Sequence, residues 1–234
     1  EIINASISSK REQAIVSALL LGIKDHLNNE IKVAYSSAGA MHVLAVSGLH
    51  VGIMFLIIQM LCKPWKDHRY GRFAFMILAV GCIWLYALVT GFSPSVVRAS
   101  TMFSVVIISN AFNKKANVYN SLGIAAFLLI TLNPFVIHSV GFQLSFAAVF
   151  GILMIHPILY RKLHFHTRVA DYFWSIVCVS IAAQIATFPL TLYYFHQFPT
   201  YFLVSNIVVI PAAFVMLSGG LLMLALGAIA PGVA

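Results

Sequence analysis

The stretch that decides the fold is HVLAVSGLHVGIMFLIIQML, residues 42–61. Its second half, from Val51 onward, is apolar enough to lie in lipid, whereas Ser47, Gly48 and His50 interrupt its first half. Several other stretches approach 20 apolar residues, about the length that spans the hydrocarbon core of a bilayer. The pattern predicts a membrane-crossing helix that begins with an unusual group of polar residues.

The composition extends this prediction to the whole chain. Of its 234 residues, 61% are hydrophobic and only 9% are charged, against about 25% charged in a typical soluble domain. We therefore predict an all-α fold, a polytopic transmembrane helix bundle of about seven spans. The expected spans are 43–62, 73–91, 95–112, 118–133, 140–159, 172–192 and 202–229.

We expect the chain to consist of two parts. Residues 1–40 form an N-terminal amphipathic or interfacial segment, with a helix candidate at 11–23, and residues 41–234 form the transmembrane domain. The last span is unusually long, and Pro211 and the Ser-Gly-Gly run at 218–220 are candidate break points. The chain starts at Glu1 without a methionine, so we expect a piece of a longer protein.

Positive charges predict the orientation of the spans. Lys and Arg concentrate in every second link, at 63–72, 113–117 and 160–171, while the links between them carry no charge. The positive-inside rule places these three links in the cytoplasm and the N-terminal segment outside. Nine of the 14 Lys and Arg lie there, so the net charge of +8 is not in itself a sign of DNA binding.

The sequence contains little that indicates an enzyme. There is no phosphate-binding loop of the GxxxxGK[ST] type, and the HFHT run at 164–167 lacks the acidic partners of a metal site. Ser47 and His50 faintly resemble an intramembrane serine protease, yet their three-residue spacing does not by itself present a base to a hydroxyl. We expect no catalytic residue, no metal and no cofactor.

Polar and small residues at helical spacing are the better candidates for function. Ser180, Gln184, Thr187 and Thr191 form one stripe, while Gly141 and Gly151 belong to a small-residue face that suits close helix packing. Arg98 is the one charged side chain plainly inside a span, so it must face water, a partner or the interface. The candidate residues are Ser47, Gly48, His50, Arg98, Gln143, Gln184, Thr187 and Asn206.

These residues also carry a resemblance. HVLAVSGLHVGI at 42–53 resembles the hallmark stretch of the ComEC family, the inner-membrane DNA channels of natural transformation. Further landmarks follow in order: GFSPSVVRAS at 91–100, NPFVIHSVGFQLSFAAVFGI at 133–152, AAQIATFPLTLYYFHQF at 182–198 and SNIVVIPAAF at 205–214. The resemblance covers nearly the whole chain and implies that 41–234 is the transmembrane competence domain.

The resemblance implies a function and partners. The expected function is a channel that conducts single-stranded DNA into the cytoplasm, with the candidate residues along its path. An outer DNA receptor would deliver the strand and a cytoplasmic ATP-driven translocase would pull it. Family members also carry an OB-type domain and often a metallo-β-lactamase-like domain, neither of which lies in these residues. A secondary transporter of a small solute, using the same polar cavity, is the alternative.

Overall fold

The computed structural model describes Gln13 and residues 46–62, 69–112, 117–163, 165–196 and 201–229. Within these ranges the fold consists of seven α-helices and one short 3-10 helix, without strands. The helices are α1 Gly48–Leu61, α2 Arg69–Val89, α3 Pro94–Ala111, α4 Val118–Leu132, the 3-10 helix Pro134–His138, α5 Val140–Tyr160, α6 Arg168–Phe195 and α7 Phe202–Ile229.

The all-α prediction and the prediction of a helical membrane bundle are confirmed. Four helical segments among the described residues are long and apolar enough to cross a membrane: Tyr70–Val89, Val140–Tyr160, Arg168–Phe195 and Phe202–Gly220. The apolar helices α1 and α4 are shorter, and α3 is interrupted by Arg98 and several hydroxyl side chains. Apart from Gln13, which is helical, the predicted segment 1–40 lies outside the described residues, as do most of the first two charged links and His164.

Two helix boundaries differ from the sequence prediction. Helix α1 begins at Gly48, not near residue 43, because Ser47 is extended (φ −123°, ψ 171°) and caps the helix. Helix α7 runs without a break through Pro211 and through residues 218–220. A proline in a membrane helix removes one backbone hydrogen bond, and neighbouring helices can compensate for that loss.

The turn between α2 and α3 has local causes. Gly91 and Phe92 both adopt left-handed backbone conformations, with φ of 67° and 51°. Ser93 then occupies the N-cap position and Pro94 the first helical position, where its missing N–H would have no intrahelical partner in any case. The turn therefore sets the start of α3 four residues before Arg98.

The apolar core lies between α1, α2 and α3. Its fully buried side chains include Val51 from α1, Ile83 from α2 and Val96 from α3. Helix α3 also contacts α4 and α5, so it lies at the centre of the bundle. Many large apolar side chains on the outside remain exposed, among them Leu132 and Phe135 at 82% each, as expected for a surface that faces lipid.

Helices α5 and α6 form an antiparallel pair that is joined along its length. Tyr160 Oη donates a 2.6 Å hydrogen bond to Asp171 Oδ2 at one end. In the middle, a side chain at Gly151 would meet Ala186 Cβ and lie 2.9 Å from the carbonyl oxygen of Ala182. Only glycine permits this approach, as the predicted small-residue face required.

Candidate functional site

Ser47 and His50 form a reciprocal cap at the start of α1. The Ser47 N–H donates to His50 Nδ1 at 3.2 Å, and Ser47 Oγ lies 3.0 Å from the same nitrogen. A backbone N–H can only donate, so Nδ1 accepts and the imidazole carries its proton on Nε2. His50 thus takes the place that glutamate or glutamine usually holds in a capping box. The spacing does bring the base to the hydroxyl, contrary to expectation, because Ser47 lies outside the helix.

The neighbouring glycines allow α1 to approach α3. A side chain at Gly48 would lie 3.3 Å from Ala99 Cβ, and one at Gly52 would lie 3.4 Å from the ring of Phe103. His50 is only 1% exposed. The polar group that interrupts the first span is therefore a helix start packed against α3, with His50 buried and Ser47 and Gly48 half-buried.

Arg98 lies on the second turn of α3 and is 9% exposed. Its guanidinium covers Gly141 on the first turn of α5, where a Cβ would lie 3.3 Å from Nη2 and 3.4 Å from Nη1. Its Nε has no hydrogen-bond partner in the part of the chain that the structure describes. The only acidic residue in the described ranges is Asp171, which lies at the start of α6 and accepts a hydrogen bond from Tyr160. Arg98 is therefore a buried cation with no counterion among the described residues.

Gln143 joins three elements at the end of the bundle where α5 begins. Its Nε2 donates to the carbonyl oxygen of Ile137 at 3.0 Å, and its Oε1 accepts from Tyr194 Oη at 2.8 Å. Both ends of the amide are thus occupied by protein. In this structure Gln143 holds the 3-10 helix, α5 and α6 together.

A polar layer lies between α6 and α7. Asn206 Nδ2 donates to Ser180 Oγ at 3.1 Å, whereas Asn206 Oδ1 and Gln184 Nε2 are buried without partners. Thr187 differs, since its hydroxyl donates to the carbonyl oxygen of Ala183 at 2.9 Å within its own helix. Of the predicted stripe, Ser180 and Gln184 therefore belong to the polar layer and Thr187 is satisfied locally.

Three residues of interest were not predicted. Tyr194 is the partner of Gln143 across 51 positions of sequence, and no local pattern marks it. Ser218 Oγ on α7 and Ser100 Oγ on α3 are buried without partners. Ser100 has a signal that sequence reading could have used, because Ser104 follows it at i+4 on the same helical face.

Buried polar atoms without protein partners are the feature that these helices share. Each such atom costs free energy in a dry interior, typically about 1–3 kcal/mol, unless water or a ligand reaches it. Among the described side chains they are Arg98 Nε, Ser100 Oγ, Gln184 Nε2, Asn206 Oδ1 and Ser218 Oγ. Three are on α6 and α7 and two are on α3, so three helices of the bundle carry buried polar groups that have no partner among the described residues.

Apolar helices with such an interior define the class, a multi-pass helical membrane protein with polar groups inside the bundle. The chain belongs to the competence protein family, because the family profile described as "Competence protein" matches residues 19–234. Family membership gives the chain a role related to competence.

Two curated proteins are similar to much of the chain. ComE operon protein 3 of Bacillus subtilis (strain 168) is 30% identical over 223 residues, which are 92% of this chain and 27% of that protein. An uncharacterized protein of Aquifex aeolicus (strain VF5) is 31% identical over 153 residues, 64% of this chain and 35% of the relative. The chain therefore spans about a third or less of these relatives. No solved structure matches it.

Proposed function

We propose that this chain forms the membrane channel through which a single DNA strand crosses the bacterial inner membrane during natural transformation. In this proposal the chain carries out no catalysis itself. Its N-terminal segment lies outside, and the positively charged links lie in the cytoplasm. The family profile that matches residues 19–234 is described as "Competence protein", which supports the same process.

The observation that carries the proposal is the set of unpartnered polar atoms on α3, α6 and α7. A strand with one negative charge per nucleotide cannot cross hydrocarbon and needs a hydrated path. Neutral amides and hydroxyls hold water and contact bases or phosphates weakly, which conduction requires, since a bound group must also leave. Carboxylates would repel the strand, and the described ranges contain only Asp171, which is engaged with Tyr160.

Transport needs energy from other components. An inside-negative potential opposes inward movement of negative charge by about 2.3 kcal/mol per charge per 100 mV. The sequence has no phosphate-binding loop of the common motor type. We therefore infer a cytoplasmic ATP-driven translocase as partner, together with an outer receptor that delivers the strand. OB-type and nuclease-like domains in the remainder of a longer protein are part of the same proposal.

The test uses the purified full-length protein in liposomes of zwitterionic lipid with an imposed membrane potential. A fluorescent oligothymidylate is added outside, and the fraction protected from added nuclease is measured. An inside-positive potential replaces the motor, so protection should rise with that potential and vanish without protein. Duplex DNA of the same length should remain accessible to the nuclease.

The solute transporter gives the opposite result in the same vesicles. Proton or small-solute counterflow without protection of the oligothymidylate would overturn the channel proposal. Gln184→Leu provides an internal comparison, because it removes one unpartnered polar group and should reduce protection while the protein remains folded.

A further inference from the structure

The contact between Arg98 and Gly141 brings together two groups of the same electrostatic sign. The planar guanidinium lies over the first turn of α5, with Cζ 3.6 Å from the Cβ position of Gly141. A helix N-terminus carries the equivalent of about half a positive charge. A full positive charge beside it is unfavourable unless a negative group is present.

The first turn of α5 also has free donors. The N–H groups of Val140 and Gly141 have no intrahelical acceptor, as in any helix start, whereas the N–H of Phe142 donates to Ser139 Oγ at 3.3 Å. Gly141 itself is exposed, so the turn is not fully covered by the described part of the protein. Helix N-termini of this kind bind phosphate and related anions.

Arg98 provides the second, independent component. It is 9% exposed and its Nε has no partner, and the described residues around it offer no carboxylate. Guanidinium nitrogens match the oxygens of phosphate in a two-pronged arrangement that an ammonium group cannot copy. The guanidinium of Arg98, whose Nε is unpartnered among the described residues, thus lies against the helix turn that carries the unpaired donors.

We propose that Arg98 and the N-terminus of α5 form a binding site for a phosphate-class oxyanion. Resting on the proposed function, the physiological ligand is a phosphodiester group of the DNA strand. Arg98 lies mostly inside the protein, between α3 and α5, which favours a ligand within the bundle over a lipid headgroup at its surface. The site would hold a phosphate where α3 and α5 begin.

The test is binding of a fluorescent oligothymidylate to the full-length protein in nanodiscs of phosphatidylcholine, followed by anisotropy. Arg98→Gln should weaken binding about tenfold, the usual size for loss of one charge-assisted hydrogen bond. The slope of log K against log salt should fall by about 0.7, the value for one phosphate contact on a single strand. Arg98→Lys should retain part of the affinity. Inorganic phosphate should compete, and an uncharged methylphosphonate oligomer should bind weakly.

A pair of glycine variants separates the site from general effects on folding. Gly141→Leu places a side chain where the guanidinium lies and should reduce affinity like Arg98→Gln. Gly123→Leu is the matched control, because a Cβ there meets nothing within 4 Å. Helical circular dichroism of each variant checks the fold.

The outcomes are distinct from those for the channel. Unchanged affinity and salt slope in Arg98→Gln would overturn the site, even if the strand still crosses the vesicle membrane. Binding that depends on Arg98 would support the site, even if no strand crosses. A variant that alters stabilisation by phosphatidylglycerol but not oligonucleotide affinity would show a lipid ligand and reject the DNA assignment.

Discussion

Tyr194 Oη donates a 2.8 Å hydrogen bond to Gln143 Oε1 and so connects the end of α6 to the start of α5. Hydrogen bonds between membrane helices contribute on average about 0.6 kcal/mol and at most about 1.7 kcal/mol. Tyr194→Phe should therefore lower the free energy of unfolding by an amount in this range, measured by denaturant titration in micelles. Tyr193→Phe is the control, since Tyr193 is 73% exposed. Equal losses in both variants would contradict the assigned role of the Gln143 bond.

Gly151 should tolerate no larger residue. In Gly151→Ala the added methyl group would collide with Ala186 and press on the carbonyl oxygen of Ala182. Overpacking of this kind typically costs about 1–3 kcal/mol, so the thermal midpoint should fall. Gly123→Ala, where the methyl group meets open space, should be neutral or slightly stabilising. A stable Gly151→Ala variant would mean that α5 and α6 are further apart.

Substitutions at Ser47 and His50 can show whether the two residues form a helix cap or a catalytic pair. Ser47→Ala removes one cap contact and should cost about 0.5–2 kcal/mol, with only a partial reduction in transformation frequency. His50→Gln keeps an acceptor for the Ser47 N–H and should be milder than His50→Leu. If Ser47→Ala abolishes uptake while unfolding and membrane abundance stay normal, a nucleophilic serine becomes the better interpretation.

Variants at Gln184 and Thr187 test whether the polar layer between α6 and α7 belongs to the hydrated path of DNA, with Thr187 as the control position. Gln184 Nε2 has no partner, whereas the Thr187 hydroxyl is satisfied by Ala183. Gln184→Leu should not reduce stability, because it removes an unsatisfied group, yet it should reduce transformation frequency. Thr187→Val should change neither quantity strongly. If Gln184→Leu is stabilising and transforms like the parent, the α6–α7 layer lies off the path of DNA.

The orientation is tested by labelling in intact cells. In a variant that lacks the native cysteines, single cysteines in place of Asp67, Lys115 and His166 should be shielded from an impermeant thiol reagent. Cysteines in place of Ser36 and Pro199 should react. Labelling of the first three positions would contradict the predicted orientation.

Hydropathy was sufficient to predict the four long apolar helices among the described residues, because a segment that crosses lipid must be apolar whatever its neighbours are. It failed at the start of α1 and along α7, where backbone geometry decides the structure. The capping of α1 depends on the extended backbone of Ser47, which spacing alone does not reveal. Helix α7 is unbroken through Pro211, and in a membrane bundle neighbouring helices can compensate for the backbone hydrogen bond that a proline removes.

The candidate site was predictable in its residue types but not in its partners. Arg98 stood out from sequence because charge inside a span is costly, yet its contact with Gly141 joins residues 43 positions apart. Likewise Gln143 was expected to act along the path of DNA, and its structural partner Tyr194 is distant in sequence. Which residues form such pairs depends on how the helices are ordered and how they cross. The sequence of a single helix does not reveal this arrangement.

The joining of α5 to α6 at both ends and in the middle has a mechanical consequence. Because Gln143–Tyr194, Gly151 and Tyr160–Asp171 hold the pair together, we expect α5 and α6 to move together in any widening of the bundle. The pair touches α3 where the Arg98 guanidinium lies over Gly141. When oligonucleotide is added, spin labels on α5 and α6 should keep a constant separation, while the distance between labels on α3 and α5 changes. A change in the α5–α6 distance would show that the two helices do not move together.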